Sequence, residues 1–237
     1  MERGVLLISV ADVERWADAT GTGAEGKAGL IDQATALHTE AHAWRALHGS
    51  RFRKHQEELR RMERTATAIR TYQPAVIPGL LQTAGYARSV LEANRFGTED
   101  IADAVRSRVD RQAVLYDDGK SFAFVITEAA LRWRLCPVSV HLAQLDRIAS
   151  LATLPNVSVG VVPWSVPAPL PVATMFVVFD DRLALVETMH GELLLRERQQ
   201  IDAYLDQFER LDGLALRDDE ARSLLDRIAS DLRGLGS

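Results

Sequence analysis

Glu187, His190 and Glu192 fall within six residues at the end of a β-rich run. A carboxylate beside an imidazole moves a proton near neutral pH, and at a strand end the same groups also suit a polar ligand. The plainer alternative is a hairpin turn with three solvated side chains. Trp164 stands in a stretch with four prolines in nine residues, 163–171, an irregular loop placed to close over such a group. Glu128, Arg132 and Arg134 form a second constellation. Glu128 and Arg132 are four apart, so they either pair on one helix face or, in a pocket, offer a cation to an anionic ligand or to a partner's carboxylates. Gln82 and Tyr86, behind Pro78 and Gly79, are candidates for polar recognition.

Other chemistry finds less support. His38 and His42 are one helical turn apart, but no third ligand accompanies them or His48 and His55, and no metal site is expected. The single cysteine, Cys136, precedes Pro137 and reads as a buried structural thiol. No phosphate-binding glycine loop, nucleophile elbow, His-Glu-x-x-His helix or calcium loop occurs, and no cofactor is expected.

The elements that must position these residues follow from periodicity. Ser9 is placed to cap a helix carrying Val13, Trp16 and Ala17. Leu30, Ala34, Leu37, Ala41, Trp44 and Leu47 recur at helical spacing over five turns, and a basic helix over 51–70 follows. Residues 72–88, YQPAVIPGLLQTAGYAR, contain two prolines that forbid a helix until Thr83 caps one, and they read as a hinge. Thr98 caps the next helix. The first strand is expected at 122–126, then a short helix from Glu128, an amphipathic helix from Pro137, a strand at 157–162, and a hairpin of 175–179 with 183–188 about Asp180, Asp181 and Arg182. Two apolar stripes near the C-terminus make two helices. Helices, then strands mixed with helices, then helices predict an α+β fold, with a helical N-terminal part, a small mixed or antiparallel sheet packed with helices, and C-terminal helices.

Composition bounds the partners. With 237 residues, 47% hydrophobic and 26% charged, the chain has material for a sizeable core. No window offers the roughly 18 apolar residues of a membrane span, so no membrane partner is expected. One cysteine and no leader-like opening fit a reducing cytoplasm. A net charge of −5 argues against a surface that grips nucleic acid as a whole, and the basic run at 51–70 reads as a self-paired helix face.

Several motifs in order carry a family resemblance: PAVIPGLLQTAGYAR, TEAALRWRL, LATLPNVSVGVVPW and MFVVF…LALVETMHGELLLR. Together they resemble the functionally uncharacterised, antitoxin-like domain that follows a Cro/repressor-type helix-turn-helix in many actinobacterial regulators. The likeness runs from about Trp44 to the C-terminus. It implies three parts: residues 1–28 as the last helix of a helix-turn-helix domain, 29–71 as a helical connector, and 72–237 as an α+β effector or interaction domain. Either the chain is a naturally shortened relative or an upstream portion precedes it. In both cases the chain as given is expected not to bind specific DNA by this motif.

The resemblance implies a ligand-sensing or protein-interaction module that takes a small molecule or a partner protein and self-associates as a homodimer. Its expected binding residues are Gln82, Tyr86, Glu128, Arg132, Trp164 and Glu192. The alternative is a cofactor-independent enzyme, a cyclase, isomerase or lyase, with Glu187 and His190 as its acid–base pair.

Overall fold

The computed structural model describes residues 10–43, 50–93, 101–167, 174–188 and 191–235, of which 35–43 and 50–55 are placed by their backbone. The expected caps Ser9 and Thr98, the stripe residues Trp44 and Leu47, His48, and His190 lie outside the described residues, as do the side chains of His38, His42 and His55.

Two helices come first, α1 (Val10–Ala19) and α2 (Ala24–His38), packed on each other. Strand β1 (Thr39–Ala43) and helix α3 (Ser50–Thr65) follow. Next are β2 (Ala68–Gln73), a single 3-10 turn at Gly79–Leu81, α4 (Ala84–Ala93) and α5 (Ile101–Arg111). After them come β3 (Ser121–Thr127), α6 (Glu128–Arg132), α7 (Val138–Leu151) and β4 (Val157–Val162). The chain ends with β5 (Phe176–Phe179), β6 (Leu183–Glu187), β7 (Gly191–Leu195), α8 (Arg198–Asp212) and α9 (Asp218–Gly234). The fold is α+β, as the sequence predicts.

The described strands form one mixed sheet in the order β1-β7-β6-β5-β2-β3-β4. β2, β3 and β4 are parallel, joined by crossovers that contain α4–α5 and α6–α7, while β5, β6, β7 and β1 run antiparallel. Alternation gives the sheet two apolar faces. Ile69, Phe122, Phe124, Val159 and Leu185 face the helical layer that includes α4, α7 and α9. Tyr72, Val125, Phe176 and Val178 face Ile201, Phe208 and Leu211 of α8. The Phe176 ring lies 5.0 Å from Tyr204 and 5.5 Å from Tyr72. On the β4 edge, Val161 and Leu216 exchange backbone hydrogen bonds of 2.9 and 2.8 Å. A Cβ on Gly160 would stand 2.8 Å from Cβ of Ala215, so only glycine fits this approach.

Three expectations are corrected. The stripe from Leu30 to Leu47 is not one helix: α2 stops at His38, and β1 pairs with β7, His42 opposite Glu192. Pairing with β7 gives that segment a backbone ladder, and this tertiary context overrides the helix preference of its alanines and glutamate. The basic helix does not reach Arg70 either. It ends at Thr65, where Thr65 Oγ1 donates to the Arg61 carbonyl at 2.7 Å and Lys120 Nζ donates to the carbonyls of Arg64 (2.7 Å) and Ala66, a cation closing a helix C-terminus. Asp180, at φ 54°, then fixes the start of β2: its Oδ1 accepts from Thr67 N (2.9 Å), Thr67 Oγ1 (2.9 Å) and Ala68 N (2.8 Å). So 122–126 is not the first strand: β2 precedes it in the chain and lies beside it, within the sheet.

Residues 72–88 are core rather than hinge. Ile77, Leu81 and Tyr86 are fully buried. A loop so buried needs partners for its carbonyls, and three glutamine side chains supply them. Nε2 of Gln82 donates to Ile77 O (2.7 Å), that of Gln144 to Leu81 O (2.8 Å), and that of Gln112 to Gln82 O (2.6 Å). Thr83 caps α4, as its sequence position predicts, with Oγ1 accepting from Tyr86 N at 3.2 Å.

Candidate functional site

The glutamine-braced loop roofs a cavity of about 860 Å³ over one face of the sheet. Its floor is read from strand register. Phe124, Thr71, Val177, Leu185 and Leu194 form one row across β3, β2, β5, β6 and β7. One pleat behind lie Ile69 and Phe179, and one pleat ahead lie Gln73 on β2 and the opposed Glu187 and Glu192 on β6 and β7. The floor thus passes from apolar to polar over two pleats, each about 7 Å. The walls are Leu59 and Glu63 of α3, residues 74–80, Val90 and Leu91 of α4, and Arg108 and Arg111 of α5.

Charge is built into the walls in pairs. Arg111 forks onto Glu63, Nε to Oε2 at 3.0 Å and Nη2 to Oε1 at 2.5 Å, and its Nη1 donates to Gln56 Oε1 at 2.7 Å. The two charged side chains retain only 8% and 6% of their surface, so this is a buried ion pair whose worth depends on both partners being present. Arg108, half-buried, donates from Nη1 to Gln82 Oε1 at 3.0 Å. Burial pushes its guanidinium down to about 10, the neighbouring Arg111 adds to the effect, and Glu187 opposes it, so Arg108 is still a cation at pH 7.

Of the residues singled out in the sequence, Gln82, Glu187 and Glu192 line the cavity. Gln82 braces the loop and holds Arg108 rather than offering a vacant amide. Glu187 and Glu192 both have partners within the chain. Tyr86, expected to face a ligand, is fully buried: its hydroxyl accepts from Ile77 N at 3.4 Å, and burial pushes the phenol up to about 12. It supports the loop from behind.

Glu128, Arg132 and Trp164 come together, but none of the three lines the cavity. Glu128 accepts from Arg132 Nε (2.7 Å) and from the Trp164 backbone N–H (3.0 Å), and Arg132 also donates to Asp231 (2.7 Å). The guanidinium sits 5.2 Å from the Trp164 ring. These contacts tie α6 to α9 and to the loop after β4, and Trp164 packs there on Arg132. His190, the expected partner of Glu187, lies outside the described residues.

Sequence reasoning missed Thr71, Gln73, Glu63, Arg108 and Arg111. A signal existed in α5, where Arg108 and Arg111 continue the buried face of Ala104 and Val105 at spacings of three and four, so two cations stand on the side that packs inward. Among the described residues no group of three or more His, Cys, Asp or Glu is arranged to hold a metal ion, and no helix is long and apolar enough to cross a membrane.

Fold and cavity together define an α+β domain with a mixed sheet, helices on both faces, and one large apolar cavity with a polar end. The chain belongs to the family described as "Domain of unknown function (DUF5753)", which matches residues 56–227. No curated protein matches it. Among solved structures it is similar to Nuc, a phospholipase D family member from Salmonella typhimurium, at 12% identity and a TM-score of 0.38 over 69% of this chain and 90% of that one. NucT from Helicobacter pylori gives 11% and 0.41 over 76% and 98%. The archaeal chromatin protein TrmBL2 gives 11% and 0.37 over 83% and 62%. Likenesses this slight say nothing of what the chain does.

Proposed function

We propose that this chain is the ligand-sensing module of a transcription-regulator-like protein, and that the cavity under residues 74–80 receives a small molecule. The observation that carries this reading is the cavity itself. At about 860 Å³ it falls within the roughly 300–1,000 Å³ usual for small-molecule sites, and apolar walls with a few fixed polar groups are the usual lining. The resemblance to effector domains behind Cro/repressor-type helix-turn-helix regulators of actinobacteria supports the sensing role. A cytoplasmic setting and self-association as a homodimer belong to the same reading. Occupancy would be felt by α5, whose Arg108 reaches both cavity and loop.

Titration with the uncharged fluorophore N-phenyl-1-naphthylamine tests this. Saturable enhancement of its emission by the folded chain, abolished by Leu185→Trp, which fills the floor, is the expected result. No saturable binding, or binding unchanged by Leu185→Trp, would refute it.

One observation favours a catalytic second reading: Glu187 and Glu192 oppose each other across β6 and β7 on the cavity side. Paired carboxylates in an apolar site are a recurrent acid–base device. Turnover of a bound ligand lost in Glu187→Gln with binding retained would select it.

A further inference from the structure

Buried polar groups in folded proteins nearly always have hydrogen-bond partners, so those facing a cavity without one indicate what the cavity is shaped to receive. Most polar groups around this cavity are already engaged. Arg111 is closed by Glu63 and Gln56. Arg108 donates to Gln82 and lies in the field of Glu187, while Glu187, Thr188 and Glu192 each have a partner. Two buried side chains differ. Thr71 and Gln73 are 5% and 4% exposed, stand on the cavity side of the central strand β2, and among the described residues have no side-chain hydrogen-bond partner. The register places Gln73 beside Ile126, with the Phe124, Thr71 and Val177 row one pleat behind.

We propose that the ligand is an uncharged molecule with an apolar body and an amide-type head, the body on the Phe124–Val177–Leu185 floor and the head hydrogen-bonded to Gln73 and Thr71. The groups left for it are neutral, and each both donates and accepts. A carboxamide or lactam presents the matching N–H and C=O pair. A carboxylate would leave the donating role unfilled and an ammonium the accepting one, and either would have to give up its hydration to reach Thr71 and Gln73. This rests on the cavity being a ligand site, as proposed above.

Three probes sharing one tail separate the head groups: 4-phenylbutanamide, 4-phenylbutanoate and 4-phenylbutan-1-amine, titrated into the isotope-labelled chain and followed by NMR. The amide is expected to bind about ten-fold more tightly than either ion, and Gln73→Leu and Thr71→Val each to remove most of that preference. In the absence of ligand, Gln73→Leu is expected to leave the unfolding temperature unchanged or raise it, because the Gln73 amide opens onto the cavity and makes no side-chain hydrogen bond among the described residues. Equal or tighter binding of an ion, an amide affinity indifferent to Gln73→Leu, or a lowered unfolding temperature in that variant would overturn the inference. If the naphthylamine still binds, only the head-group assignment fails. If neither the naphthylamine nor any of the three probes binds, the site reading fails with it.

Discussion

Arg111→Met removes one partner of the buried pair and leaves Glu63 with a charge, 6% exposed, and Gln56 with an unmet acceptor. Truncating one side of such a pair costs about 3–5 kcal/mol, because the survivor keeps its desolvation penalty and loses the interaction that offset it. At roughly 2–4 °C per kcal/mol for a chain of this size, the unfolding temperature should fall by about 6–20 °C. Replacing both partners, as in Glu63→Met with Arg111→Met, removes the stranded charge, so the double variant should recover most of the loss. The assay is urea unfolding of the wild type, both single variants and the double variant, read as a double-mutant cycle. A single variant that loses less than about 1 kcal/mol, the range of exposed pairs, would show that the pair is solvated and refute its buried character.

Other positions give narrower tests. Gly160→Ala puts a Cβ within 2.8 Å of Ala215 Cβ and should cost about 1–3 kcal/mol in urea unfolding, with part regained in the Gly160→Ala, Ala215→Gly pair. Asp180 is pushed upward by burial, but hydrogen bonds from Ala68 and Thr67 outweigh this and hold its carboxyl below the usual range. Its contribution is therefore present above the ordinary aspartate value and lost as pH falls through the lower folded value, and Asp180→Ala should flatten the acid limb of a stability–pH curve. His141 is fully buried, its Nε2 2.8 Å from the Leu131 carbonyl and its Nδ1 without a partner among the described residues, and burial holds it below the usual imidazole range. The unfolded chain then takes up a proton that the folded one refuses, so stability should decline as pH drops below about 6.5 and less so in His141→Gln.

Much of the frame was legible. The Thr83 cap, whose Oγ1 accepts from Tyr86 N at 3.2 Å, the β5–β6 hairpin about Asp180, and the stripes of α7, α8 and α9 follow directly from residue type and spacing. β2 was not legible, and the reason bears on function. A central strand usually reads as a continuous apolar run, but AIRTYQ carries Thr71 and Gln73 where the sheet floors the cavity, so the pattern is broken where the site lies. Arg108, Arg111 and Glu63 were hidden similarly, as charges within helices whose mixed sign suggests a solvated face. Glu128, Arg132 and Trp164 show the converse: residue types suited to binding, placed together by the fold, yet spent on holding α6, α9 and a loop to one another.

The central claim is that the cavity floored by β2 is where this domain binds. Mapping the backbone amide shifts of the labelled chain on saturation with 4-phenylbutanamide tests it most directly. The account predicts that the largest changes fall at Thr71, Gln73, Ile77 and Arg108; changes centred instead on Arg132 and Trp164, or on the outer face of α8, would contradict it.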